Sequence, residues 1–241
     1  MDFIIVGKHV RIDPKSIVSR MSNFILDNPD YFGCFCNILI RAKGSRRVIM
    51  KDSIIEAELL KGTIRKEMLD DFNKLLQEFY EKEDADNGKT RGKVVECLIT
   101  KIGPFSFQTH DVEILRECSI EDEYKNKVGG NKNFDVAFFC KYTCLTELSA
   151  EFIESKLDLN NFLLEEPSNP LNIKMSKAGS EKLDYIRGVS ETLSDSKHLV
   201  LAFATVRYDV KFSQTVLKQM GCDKIVHIFT YNDLKKQVFK C

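Results

Sequence analysis

Ala150-Glu151-Phe152-Ile153-Glu154-Ser155-Lys156 is the stretch on which the fold and chemistry of this chain turn. Its apolar residues read as a strand, and alternate side chains of a strand share a face, so Glu154 and Lys156 project together. A charged pair at the end of an otherwise apolar strand is costly to bury unless something compensates it. A divalent metal and a phosphate would be that compensation. Upstream, Asn133-Phe134-Asp135-Val136-Ala137-Phe138-Phe139 places a second carboxylate, Asp135, at the start of another apolar strand.

Outward from these two segments the pattern alternates. Residues 90–103 spell an amphipathic helix, with Val94, Val95, Leu98, Ile99 and Ile102 on one face and Gly103-Pro104 stopping it. Strands are predicted over 112–118, 134–140 and 150–157, then a helix over 178–193. Residues 198–206 form an almost unbroken apolar strand of the kind buried on both faces. A short helix over 213–220 ends at Gly221, and 224–231 supply a last strand. Strands alternating with helices in this way predict an α/β sheet with helices on its faces.

The charged run from Glu81 to Lys89, containing Asn87-Gly88, reads as a loop or domain boundary. Residues 1–85 before it read as a small α+β segment: strands over 3–12 and 35–40, a helix opened by Asp13-Pro14, and a long helix over 53–81. Residues 90–241 form the second predicted domain. There is no internal repeat.

The constellation resembles the PD-(D/E)XK nuclease superfamily, whose core is an α-β-β-β-α-β unit. Asp135 matches the strand Asp of that family, and Glu154 and Lys156 match its Glu-x-Lys. Gly92-Lys93-Val94-Val95-Glu96 matches the helical Gly-x-x-x-Glu that many members add. The match covers residues 90–231, and Phe134 stands where the family name has its Pro. The resemblance implies a restriction-endonuclease-like mixed sheet flanked by helices and an endonuclease that hydrolyses phosphodiester bonds in DNA with Mg2+, for which Mn2+ can substitute. Asp135, Glu154 and the Ser155 carbonyl would hold the metal, a hard cation that takes oxygen ligands. Lys156 would orient or deprotonate the attacking water, and Glu96 would assist through a water or a second metal. Members of this size often serve in restriction or antiviral defence, as homodimers or beside an ATPase or helicase partner. The alternative is a noncatalytic nucleic-acid-binding or assembly subunit that keeps the fold.

Other features bear on function more weakly. Lysines and arginines match aspartates and glutamates at 36 each, so wholesale electrostatic binding to nucleic acid is not expected. Basic residues are in surplus after Pro170, and Lys174, Lys177, Lys182 and Arg187, straddling the helix after the Glu154 strand, are candidates for phosphate contacts. Cys34-x-Cys36 and Cys140-x3-Cys144 have no nearby His and lack zinc-ligand spacing, which predicts free or buried thiols. His110, His198 and His227 lie apart from any nucleophile. Gly129-Gly130-Asn131 has no following Lys-Ser/Thr and reads as a turn rather than a phosphate loop. No apolar run is long enough to cross a bilayer and no basic n-region opens the chain, so the cytoplasm is the expected location.

Overall fold

The computed structural model describes residues 3–9, 12–86, 88–107, 111–140, 149–166, 174–194 and 198–240. In chain order its main elements are β1 (Phe3–His9), α1 (Ile17–Asp27), α2 (Tyr31–Arg41), α3 (Arg47–Leu60), α4 (Leu69–Ala85), α5 (Thr90–Ile102), β2 (Val112–Asp122), β3 (Phe134–Cys140), β4 (Ser149–Lys156), α6 (Leu159–Leu163), α7 (Lys177–Thr192), β5 (His198–Thr205), α8 (Lys211–Gln219), β6 (Val226–Phe229) and α9 (Tyr231–Val238). It is an α/β protein built on one six-stranded mixed open sheet of order β1-β2-β3-β4-β5-β6. Among the described residues, no helix is long and apolar enough to cross a membrane.

Contacts divide the chain into two compact units, one of residues 1–10 and 103–230, the other of residues 11–102 and 231–241. This partition does not follow the charged run at 81–89. β1 pairs antiparallel with β2 and so joins the sheet unit, while α5 packs with α1 and α4 in the helical unit.

In the sheet unit, β1 to β4 form an antiparallel meander, and β5 and β6 continue it in parallel. Parallel neighbours need a crossover, and α6 and α7 between β4 and β5, then α8 between β5 and β6, supply them. Their apolar faces cover one side of the sheet: Leu159, Leu163, Leu183, Ile186, Val189 and Leu217 pack with Phe134, Ala137, Phe152, Leu201 and Phe203. Val136, Phe138, Ile153, Ala202 and Ala204 are buried as well, which accounts for the nearly unbroken apolar runs of the central strands.

Two details of this unit position the site. Gly129 has φ +74°, and a Cβ there would lie 2.6 Å from the Tyr185 carbonyl oxygen, so the turn before β3 can rest on the backbone of α7 only as glycine. The sequence reading of 129–131 as a turn holds. On β4, the fully buried Glu151 (0% exposed) accepts the backbone N–H groups of Phe105 and Ser106 at 3.0 and 2.8 Å and the Ser106 hydroxyl at 2.5 Å. It thereby fixes the loop after Gly103-Pro104.

Burial pushes the Glu151 carboxyl above its ordinary value, against the opposing pull of the Ser106 and Phe105 hydrogen bonds and of His227. Below the raised value the folded state retains a proton that the unfolded state releases. Relative to Glu151→Gln, the wild-type chain is therefore expected to gain stability as pH falls from neutral towards the ordinary carboxylate value of 4.5. Urea unfolding of both proteins across that range checks this, and a difference that does not vary with pH contradicts it.

In the helical unit, Phe24, Tyr31, Phe35, Phe72 and Phe79 form a chain of ring contacts at 4.8–6.5 Å. Four expectations are corrected here. Residues 35–40, expected as a strand, lie in α2, because Phe32, Phe35, Cys36 and Leu39 are buried at helical spacing. The helix expected over 53–81 is two, since Gly62 at φ +69° ends the first as a left-handed C-terminal residue. Ser16, not Asp13, caps α1, its Oγ accepting the Ser19 N–H at 3.2 Å. After β6 the chain forms α9, whose Tyr231 ring stacks on Phe32 at 5.2 Å.

All described cysteines are free thiols. Burial pushes Cys34 up to about 12, so it packs as a neutral apolar group. Cys144 and His110 lie outside the described residues.

Candidate active site

The site is built where β3 and β4 part. Their ladder runs antiparallel as far as Val136 opposite Ile153. One step further along that register Asp135 faces Glu154, and there the Asp135 carboxylate accepts the Ser155 backbone N–H at 2.8 Å. A side chain thus takes over the backbone pairing, and the carboxylate is held beside β4. Lys156 ends the strand opposite Thr205 of β5, at the carboxyl ends of two parallel strands.

Glu154 and Lys156 share a face, as alternation requires. Lys156 Nζ lies 2.5 Å from Glu154 Oε1 and 3.7 Å from Asp135 Oδ2. It also sits 4.8 Å from the centroid of the Phe162 ring of α6, whose face attracts a cation. One ammonium therefore joins the two carboxylates that the sequence singled out.

A second ammonium reaches the same carboxylate. Lys182 of α7 is only 5% exposed, and its Nζ lies 2.5 Å from Glu154 Oε2. That contact is an ion pair rather than an aligned hydrogen bond, and the Lys182 ammonium also donates to the Asn133 carbonyl oxygen. The Phe134 and Tyr185 rings lie 5.4 and 5.3 Å from it. Glu154 is itself 6% exposed, a degree of burial that a carboxylate tolerates when it is paired on both oxygens. The neighbouring acids stay neutral: burial pushes Cys118 up to about 12 and the Tyr185 phenol further still.

No protein-family model, curated protein or solved structure matches this chain. Its chemistry therefore rests on the geometry.

Of the residues singled out in the sequence, Asp135, Glu154, Ser155 and Lys156 converge. Ser155 enters through its N–H, bound to Asp135. Glu96 is half-buried on α5, in the helical unit, so the sheet unit assembles its cluster from Asp135, Glu154, Lys156 and Lys182. The four basic candidates for phosphate contact do not form one set. Lys182, a candidate for phosphate contact by sequence, is a buried partner of Glu154. Lys174 is exposed and pairs with Glu165 at 2.7 Å, and Lys177 is exposed with Glu181 at 3.9 Å. Arg187 pairs with Asp184 at 3.2 Å and donates to the Met220 carbonyl oxygen at 3.0 Å.

The signal for Lys182 was present in the helix itself. Gly179, Lys182, Ile186 and Val189 recur at spacings of three and four, which places Lys182 on the buried face of α7.

The chemistry of the donors bears on a metal. Mg2+ takes oxygen ligands and is commonly held by one or two carboxylates together with water and substrate phosphate. Asp135 and Glu154 are such a pair, and Lys156 between them marks a position where positive charge is favoured. Among the described residues there is no cluster of three or more His, Cys, Asp or Glu side chains suited to a metal. The pair fits a cation completed by water and substrate, not a closed protein cage.

Proposed function

We propose that this protein is a metal-dependent nuclease of the PD-(D/E)XK kind, hydrolysing phosphodiester bonds in DNA, with Asp135, Glu154 and Lys156 as its reacting groups. The observation that carries this reading is the Lys156 ammonium, 2.5 Å from Glu154 and 3.7 Å from Asp135 where β3 and β4 part. The chain order α5, β2, β3, β4, α7, β5 adds support, since it follows the α-β-β-β-α-β order of that superfamily, with only the short α6 interposed.

Asp135 and Glu154 would hold Mg2+ or Mn2+, which when bound supplies Lewis-acid polarisation of a phosphate and a more acidic water. Ser155 fixes the Asp135 carboxylate through its N–H. Lys156 presents a compact point charge with three rotatable donors, suited to holding a water and to stabilising negative charge developing on phosphate oxygens. Phe162 covers one side of that ammonium, which limits its access to bulk water and strengthens its field.

One observation favours the noncatalytic alternative, a nucleic-acid-binding subunit that keeps the fold: both oxygens of Glu154 already face lysines. Incubation of the purified protein with plasmid and with single-stranded DNA, in Mg2+, Mn2+ or EDTA and beside Glu154→Ala, separates the two readings. Metal-dependent nicking by the wild-type chain alone is expected. Binding of DNA that is indifferent to metal and to the substitution, with no cleavage, would establish the alternative.

A further inference from the structure

The second lysine of the cluster has no part in the reading above, and its setting is unusual. Lysine is almost never fully buried without a partner. Lys182 sits on the buried face of a sixteen-residue helix, held by Glu154 Oε2, the Asn133 carbonyl oxygen and two aromatic rings. Asn133 directly precedes β3, so the contact also ties α7 to the strand that carries Asp135. Two carboxylates face two ammonium groups here, and a divalent cation entering the cluster meets a carboxylate pair that is already compensated.

We propose that Lys182 is a positioning residue that acts as a built-in counter-cation: it holds Oε2 of Glu154, leaves only Oε1 open to exchange, and keeps the cluster's affinity for a divalent cation low until an anionic phosphodiester enters. The inference rests on the nuclease reading, because it concerns the same Glu154. Its physical basis is Coulombic. A fixed positive charge 2.5 Å from a ligand oxygen opposes a second cation at that carboxylate, and its removal relieves the opposition. A phosphodiester carries the opposite charge, so its arrival offsets the surplus that the metal brings.

The test is Mn2+ binding to the full chain without nucleic acid, read from the electron paramagnetic resonance signal of free Mn2+. Lys182→Met and Lys182→Gln are compared with the wild type, the second variant keeping a hydrogen-bond donor where the first keeps only the volume. Both are expected to bind Mn2+ at least about tenfold more tightly than the wild type. Adding Glu154→Gln to either is expected to abolish the gain, which a merely structural lysine would not produce. Should the variants fail to fold, the wild-type chain still decides. Its Mn2+ affinity is expected to rise about tenfold when saturated with a nuclease-resistant phosphorothioate oligothymidylate, and not with an uncharged methylphosphonate oligomer of the same length.

Plasmid nicking by the same wild-type preparation keeps the two levels apart. Nicking together with unchanged Mn2+ affinity in the Lys182 variants overturns the role of Lys182 and leaves the nuclease reading standing. Absence both of nicking and of any Glu154-dependent Mn2+ binding overturns the two together.

Discussion

Under the proposed nuclease function, replacing Lys156 by alanine is expected to lower a metal-dependent cleavage rate by about 10²- to 10³-fold, the usual loss when one preorganised donor to a developing oxyanion is removed. The side chain is 23% exposed and stands at the last position of β4, its ammonium beside Glu154 and Asp135 and over the Phe162 ring, so the fold should persist. Initial rates of plasmid nicking at saturating Mg2+ measure the effect, with circular dichroism confirming the fold. Lys156→Arg is expected to recover little. A planar guanidinium is larger and differently forked than the point charge that now fits between Glu154, Asp135 and the Phe162 ring. Retention of a rate within threefold of wild type by Lys156→Ala would reduce the Glu154–Lys156 contact to an ordinary ion pair and remove the lysine from the chemistry.

The largest expected effect on stability lies in the helical unit, at Arg91→Ala, which should cost about 3–5 kcal/mol. Arg91 is 8% exposed, and its guanidinium reaches Glu83 Oε1 and the carbonyl oxygens of Leu39 and Ala42, each at 2.6 Å. The two carbonyls belong to the end of α2, where the last turn of a helix leaves acceptors without internal partners. The Arg91 backbone N–H also donates to Glu83 at 2.9 Å. Alanine would strand a buried carboxylate and two carbonyls at once, which is why the loss exceeds that of a surface ion pair. Urea unfolding gives the value, and a change below about 1 kcal/mol would contradict it. Pairing Arg91→Met with Glu83→Gln should return part of the loss, because no charge is then left buried alone.

The sheet unit was the more legible half of the chain. β3 was read to the residue, and β2, β4, α7 and β5 to within a few residues, because central strands buried on both faces write continuous apolar runs with turns between them. Asp135, Glu154 and Lys156 were legible for a related reason: a charge inside such a run stands out. The run at 35–40 misled because a short apolar segment rich in Phe, Ile and Cys fits a strand and a fully buried helix alike. Helix α9, eight residues long with a mostly polar composition, shows its apolar face only once Tyr231, Leu234 and Val238 are seen packed. Lys182 reads as a phosphate-contact candidate from residue type and local charge, although its helical position places it on the buried face of α7. Burial in α7 follows helical periodicity rather than side-chain type.

The pairing of β1 with β2 sets a timetable for biosynthesis. β1 is synthesised well before its hydrogen-bonding partner, which begins at Val112, after the greater part of the helical unit. At translation speeds of about 5–20 residues per second, the interval is on the order of ten seconds. Over that time the apolar Ile4, Ile5 and Val6 are without their β2 partner, and the sheet can close this edge only after β2 emerges. The nascent chain must therefore keep its first strand from premature pairing while the interior of a different unit is still being made.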